Sequence, residues 1–183
     1  MKGKTMAGKL IQRFCANKDD PRRYLHHPFA FNTYVCATDG YTMVFTPADA
    51  AGESDTLPCS ASIQGSVRRL LAIYHNLKES DFGPVPEIVF PSVIETTCAE
   101  CDGLGEVSFE NEQNDYQFTC KTCDGAGSLS AEPKVNVPGF NLIFGASQLK
   151  RILELPELSV ANAEQYMAFR FTGGFGLCYS AFI

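Results

Sequence analysis

Apolar residues recur along the chain with two periods, and the changes between them mark the elements. Leu10, Ile11, Phe14 and Cys15 fall on one face of a helix that Asp20-Pro21 brings to an end. Two β-rich runs follow, at residues 33–38 and 41–46, joined by Asp39-Gly40. Asp-Gly between two such runs predicts a hairpin, because both turn residues must tolerate positive φ. Pro47 closes the second strand, and the polar run 49–56 reads as a loop. Ile63, Val67, Leu70, Leu71, Tyr74 and Leu77 then form an apolar stripe, predicting a helix over residues 62–77. Arg68 and Arg69 belong to its solvent side, and His75, with no partner motif nearby, reads as a surface residue. Residues 87–90 read as a strand bounded by Pro84, Pro86 and Pro91.

The pattern breaks between residues 94 and 131 and then resumes. Residues 134–137 read as a strand, and residues 146–155 as a helix facing inward through Leu149, Ile152 and Leu153 and stopped by Pro156. Residues 165–172 alternate, with Met167, Phe169 and Phe171 on one side. Gly173-Gly174 turns the chain, and Phe175, Leu177, Tyr179, Ala181 and Ile183 continue the period of two. This predicts a terminal hairpin that seals the sheet edge or the core. A helix followed by antiparallel strands, twice over, argues an α+β fold with an antiparallel sheet packed on two or three helices. The expected division is a discontinuous core, 1–93 and 132–183, around an insert at 94–131.

The insert carries the clearest chemistry. Cys98-Ala99-Glu100-Cys101-Asp102-Gly103-Leu104-Gly105 and Cys120-Lys121-Thr122-Cys123-Asp124-Gly125-Ala126-Gly127 repeat one C-x-x-C-D-G-x-G motif at an interval of 22 residues. Eighteen residues separate Cys101 from Cys120, a spacing at which two knuckles supply four thiolates to one zinc ion. Each C-x-x-C must turn both sulfurs toward one point, which calls for a tight reversal at Gly103 and Gly125. Gly105 and Gly127 let the chain leave each knuckle without a Cβ clash. Cys98, Cys101, Cys120 and Cys123 are therefore the expected ligands of one structural Zn²⁺ per chain, with no open position for hydrolysis. Disulfides or free thiols are the alternative for cysteines alone; repetition of the glycines favours zinc. Residues 106–109 and 116–119 read as two short strands with 110–115 as the tip, a zinc-ribbon hairpin.

Composition and charge narrow the function. The chain has 183 residues, 45% hydrophobic with 14 Phe and no Trp, enough for a globular core. Met1-Lys2-Gly3-Lys4 is basic with no apolar run after it, so no signal peptide is expected, and no stretch nears the roughly 20 apolar residues of a membrane span. Cys15, Cys36, Cys59 and Cys178 are scattered and read as ordinary buried thiols of a cytoplasmic protein. The first 23 residues hold seven Lys or Arg against Asp19 and Asp20, whereas residues 94–131 hold eight acids against Lys121. Zinc with four thiolates adds about −2 to that segment, so the knuckle would repel a phosphate backbone. A nucleic-acid-reading finger is thereby disfavoured. No Gly-rich phosphate loop, Gly-x-Ser-x-Gly or His-Glu-x-x-His is present, and the C-x-x-C pairs lack the βαβ context of dithiol redox proteins. The expectation is a protein that is not an enzyme.

Tyr34-Val35-Cys36-Ala37-Thr38-Asp39-Gly40-Tyr41-Thr42-Met43-Val44 resembles the strand–turn–strand of the bacterial DNA polymerase processivity clamp, the β sliding clamp. Phe144-Gly145-Ala146-Ser147-Gln148-Leu149-Lys150-Arg151-Ile152-Leu153 is similar to the helix of a clamp repeat, and residues 167–183 to the strands that end one. The resemblance covers about 145 residues, and Asp20-Pro21-Arg22-Arg23-Tyr24-Leu25 with the small size resembles clamp-like proteins of phages and prophages. It implies a clamp-like repeat and a role in DNA replication or processing. It also implies an apolar pocket for partner peptides edged by Thr38, Gly40, Tyr41, Thr42 and Met43. The family's turn histidine and arginine are replaced by Tyr41 and Thr42, which leaves peptide specificity open. A clamp subunit has three such domains, so encircling DNA would need a homo-oligomer; DNA contact itself stays open. The zinc repeats resemble the C-x-x-C-x-G-x-G modules of DnaJ-type chaperones, of which this chain has two copies and not four. His26-His27-Pro28-Phe29 is not the His-Pro-Asp of a J-domain. That second resemblance implies a chaperone-like, peptide- or protein-binding zinc module. On either, the expected partner is a protein.

Overall fold

The computed structural model describes residues 10–51 and 56–180. Strands β1 (Phe29–Phe31), β2 (Tyr34–Thr38) and β3 (Thr42–Pro47) form a meander, followed by a single turn of helix, α1 (Ala48–Ala51), and β4 (Leu57–Pro58). Helix α2 (Ala61–His75) and β5 (Gly83–Pro84) complete the first part. Four strands follow, β6 (Ile94–Thr97), β7 (Glu106–Glu110), β8 (Asp115–Thr119) and β9 (Ser128–Ala131). The chain then runs through β10 (Lys134–Val137), β11 (Leu142–Gly145), α3 (Ala146–Leu153), β12 (Ser159–Ala163), β13 (Tyr166–Phe171) and β14 (Gly174–Tyr179). The fold is α+β, built on a large sheet. Its eight strands run β4-β1-β2-β3-β14-β13-β12-β5, antiparallel throughout except β1 with β4.

Two three-stranded meanders, β1–β2–β3 and β12–β13–β14, meet at the β3–β14 pair, where Phe175 lies opposite Phe45 and Leu177 opposite Met43. Successive strand residues point to opposite faces, and here both faces are buried. One face contributes Phe29, Phe31, Cys36, Met43, Phe45, Ala168, Phe175 and Leu177 to a core that α2 completes with Ile63, Val67 and Leu71. Tyr74 of α2 stacks on Phe175 with ring centroids 3.8 Å apart. Each fully buried side chain of this kind stabilises the fold by about 2 kcal/mol. The alternate residues Val35, Ala37, Val44, Val160, Met167 and Phe169 are buried as well. Phe14, Val135, Val137, Phe144, Leu149 and Ile152 are fully buried outside the α2 cluster.

Several expectations need correction. Of the two roles expected for the hairpin at residues 165–183, it takes the core and not the edge: β13 and β14 are mostly buried in the interior of the sheet, and residues 181–183 lie outside the described residues. The first helix is over by residue 12, well before Asp20-Pro21; residues 1–9 lie outside the described residues. Within the expected loop 49–56, residues 49–51 are helical. Residues 87–90 are not a strand, and Val89 is 79% exposed. None of residues 87–90 is buried, so no buried face holds them in a sheet, and the pairing falls instead to β5 against β12. At the β2–β3 turn only Gly40 takes positive φ (97°); Asp39 does not, because Thr38 pairs with Met43 and leaves a four-residue loop.

The chain divides into two compact units, Phe90–Lys134 and the chain on either side of it. Phe90–Lys134 contains two ribbons, β6 paired with β9 and β7 with β8. Its buried cluster is Cys98, Cys101, Cys120 and Cys123, with Val107 packed against them. Among the described residues no helix is long and apolar enough to cross a membrane.

Candidate metal centre and turn cavity

The two knuckles repeat each other bond for bond. In the first, the Cys98 carbonyl accepts Gly103 N–H (3.2 Å) and the Cys101 carbonyl accepts Leu104 N–H (2.9 Å). In the second, Cys120 accepts Gly125 N–H (3.1 Å) and Cys123 accepts Ala126 N–H (2.9 Å). Gly105 N–H and Gly127 N–H each point at the second sulfur of their own knuckle, Cys101 Sγ and Cys123 Sγ, both at 3.3 Å. The knuckles are also tied crosswise: Cys98 N–H donates to the Gly127 carbonyl (2.9 Å) and Cys120 N–H to that of Gly105 (2.8 Å). Gly105 and Gly127 hold φ of 77° and 72°, and a Cβ on either would stand 2.3 Å from a carbonyl oxygen of the other knuckle. The glycines are thus needed where the knuckles meet, beyond easing the chain's exit. Asp102 and Asp124, at φ 48° and 47°, take the left-handed conformation that Asp tolerates best among charged residues.

This scaffold brings all four predicted sulfurs together, each cysteine at most 8% exposed. Cys98 Sγ lies 3.8 Å from Cys120 Sγ and Cys101 Sγ 3.7 Å from Cys123 Sγ, and all four lie within 4.8 Å of one another. A tetrahedron with metal–sulfur bonds of about 2.3 Å has edges of about 3.8 Å. The four cysteines are positioned to bind one metal ion. Burial pushes the Cys98 thiol up to about 11. Burial resists ionisation of Cys101 too, but the Gly105 N–H and the thiols of Cys98, Cys123 and Cys120 outweigh it and bring Cys101 down to about 7. The Gly105 N–H thus favours thiolate at Cys101, where a cation needs it. The remaining cysteines are different: desolvation raises Cys36, and takes Cys15 and Cys178 up to about 12, so they rest as neutral thiols.

The turn residues Thr38, Gly40, Tyr41, Thr42 and Met43 line one cavity of about 410 Å³. Asp39 shapes it from behind. Its Oδ1 accepts the N–H groups of Tyr41 (2.9 Å) and Thr42 (2.8 Å), and its other oxygen pairs with Arg151 of α3. Thr42 is fully buried and donates to Cys178 Sγ (3.3 Å), while Tyr41, half exposed, stands at the rim. The sequence did not indicate the opposite walls, which come from Ile63, Ser66 and Leu70 of α2 and Tyr166, Leu177 and Tyr179 of the central strands. Two guanidinium groups also border it. Arg22 is held by Asp20 through Nε (2.9 Å) and Nη2 (2.7 Å), which keeps the Asp20 carboxyl down at about 2. Arg69, expected to face only solvent, donates to Tyr166 Oη (3.1 Å). The Asp-x-Arg pair at residues 20–22 was the one local signal for any of these. His75 is exposed, as expected.

No protein-family model, curated protein or solved structure matches this chain.

Proposed function

We propose that this protein is a non-catalytic, zinc-holding module of phage or prophage type, with a clamp-like core, acting in DNA replication or processing through protein contacts. Four thiolates at tetrahedral spacing suit zinc, a borderline-soft ion with no need of a particular d-electron geometry. A closed Cys₄ set leaves no site for substrate, which argues for structure over catalysis. The clamp-like reading is supported by two three-stranded meanders joined at β3–β14. The observation that carries the function is the cavity: all five residues that the clamp resemblance assigns to a peptide pocket line it, and α2 adds the apolar side chains of Ile63 and Leu70. Its volume is that of a small-ligand or side-chain pocket, lined by apolar and polar side chains together.

The test is titration with a labelled, Leu- and Phe-containing peptide of the clamp-binding type. Tyr41→Ala at the rim and Leu70→Lys on the α2 wall should each weaken binding at least about tenfold. Unchanged binding in both would reduce the turn to a well-made hairpin. A native mass spectrum supplies the second readout, with one zinc per chain expected. A closed oligomer would support DNA encirclement, and a monomer would exclude self-assembled encirclement. A second reading, a peptide-holding module of the DnaJ cysteine-rich kind, is favoured by exposed aromatic side chains at Phe109, Tyr116 and Phe118.

A further inference from the structure

The β7–β8 ribbon has two chemically opposite faces. Register pairs Val107 with Phe118 and Phe109 with Tyr116, so these four side chains share one face. Phe109, Tyr116 and Phe118 are 61%, 44% and 54% exposed, and Phe118 contacts both of the others with ring centroids 6.1 and 6.3 Å away. The reverse face carries Glu106, Ser108, Glu110, Asp115, Gln117 and Thr119. The sheet has only two strands, so the outer edge of each has no strand partner among the described residues. Three exposed aromatic rings in contact exceed the scattered apolar residues usual on a surface, and such patches mark interaction sites.

We propose that this ribbon docks an extended segment of a partner protein in which Lys or Arg alternates with apolar residues, added along the β7 edge. An added strand continues the alternation of the sheet, so its apolar side chains join the aromatic face and its cations join the acidic one. The β7 edge is chosen by charge. Glu106 and Glu110 both lie on β7, about 13 Å apart along the strand, matching cations four residues apart in the incoming segment. A second copy of the ribbon is a poor occupant, because pairing β7 with itself sets glutamate against glutamate. A nucleic acid is poorer still, since residues 94–131 carry eight acids against Lys121. The proposal rests on the zinc-module reading only in taking the metal centre to be loaded. The cavity has its own peptide and its own variants, so either reading can fail alone.

The experiment uses the metal-loaded full chain and a fluorescein-labelled peptide alternating Arg or Lys with Val or Phe, read by anisotropy. Saturable binding that weakens with added salt is expected. A Phe109→Ser/Phe118→Ser variant should bind at least about tenfold more weakly, with metal content and thermal midpoint confirming that it folds. A Glu106→Lys/Glu110→Lys variant should lose the basic peptide and gain its Glu-substituted counterpart. That exchange is a result no structural role for the glutamates would produce. Failure of the basic peptide to bind overturns the proposal. So does equal binding of the acidic peptide, of oligothymidine, or of reduced, unfolded lactalbumin regardless of charge. Dimerisation that the double serine variant abolishes would overturn it in favour of a second copy.

Discussion

A methyl group at Gly105 would stand 2.3 Å from the Gly125 carbonyl oxygen, and one at Gly127 2.3 Å from that of Gly103. Both obstacles are backbone, so nothing flexible can swing aside. Both positions also hold positive φ, where a side chain adds strain of about 1–3 kcal/mol. Gly105→Ala must therefore push the knuckles apart or break the crosswise bond from Cys120 N–H to the Gly105 carbonyl. Either movement spreads sulfurs now at tetrahedral spacing. Gly105→Ala should weaken metal binding at least about tenfold in a chelator competition, a cost of about 1.4 kcal/mol or more. Gly139 is the control, with φ of 83° but nothing within 4 Å of an added Cβ. Gly139→Ala should cost about 1 kcal/mol of stability and leave metal affinity alone. Equal losses of affinity at both sites would mean that strain, and not the meeting of the knuckles, sets the requirement for glycine.

Helix α2 shows the same reasoning with the opposite sign. Gly65 lies in its interior on the solvent side, without positive φ and with open space around it. Alanine there removes backbone freedom from the unfolded chain and meets no clash, so Gly65→Ala should stabilise by about 0.5–1 kcal/mol in thermal or urea unfolding. A loss of stability would show that the helix needs the gap at that point. Helix α2 was legible because its stripe is long, β2–β3 because Asp-Gly joins two β-rich runs, and β13–β14 because apolar residues alternate there. The elements that escaped share a physical reason. β12 reads Ser-Val-Ala-Asn-Ala, small residues of weak strand preference that pair because β13 lies beside them. β4 and β5 are two residues each, and β6 and β9 are mostly exposed with no buried face to impose a period. Residues 87–90 offered a good apolar run, but none of the four is buried, so no buried face holds them as a strand. The metal ligands were legible because motif and glycines repeat together, although the repeat is one residue longer than it first reads. Thr97 and Thr119 precede the two motifs, and their methyl groups lie beneath Gly103 and Gly125. The cavity was half legible: its turn lies in one run of sequence, but Arg22, Arg69, Leu70 and Tyr166 reach it from elements far apart in the chain.

At the scale of the molecule the two units hold themselves together by different means. The sheet and its helices bury aromatic and aliphatic side chains on two faces. Phe90–Lys134 buries four cysteines with only half-buried Val107 beside them. Apolar burial of one such side chain yields about 1 kcal/mol, far below the conformational entropy of two ribbons. A bound structural metal supplies on the order of 10 kcal/mol, so in this unit binding energy is folding energy. Removing the metal should therefore unfold Phe90–Lys134 and spare the rest. In hydrogen exchange, chelator should abolish amide protection in β6 to β9 while β3 and β14 stay protected, with the thermal midpoint of the large unit moving by no more than about 2 °C. Acid should do the same by another route. Metal binding requires four thiolates, so protons compete with it, and loss begins as pH falls and the sulfurs regain their protons. Cys101 keeps its thiolate to lower pH than Cys98, because burial raises Cys98, whereas at Cys101 the Gly105 N–H and neighbouring thiols outweigh burial. If chelator instead unfolded both units in one transition, the metal centre would be part of the cooperative core.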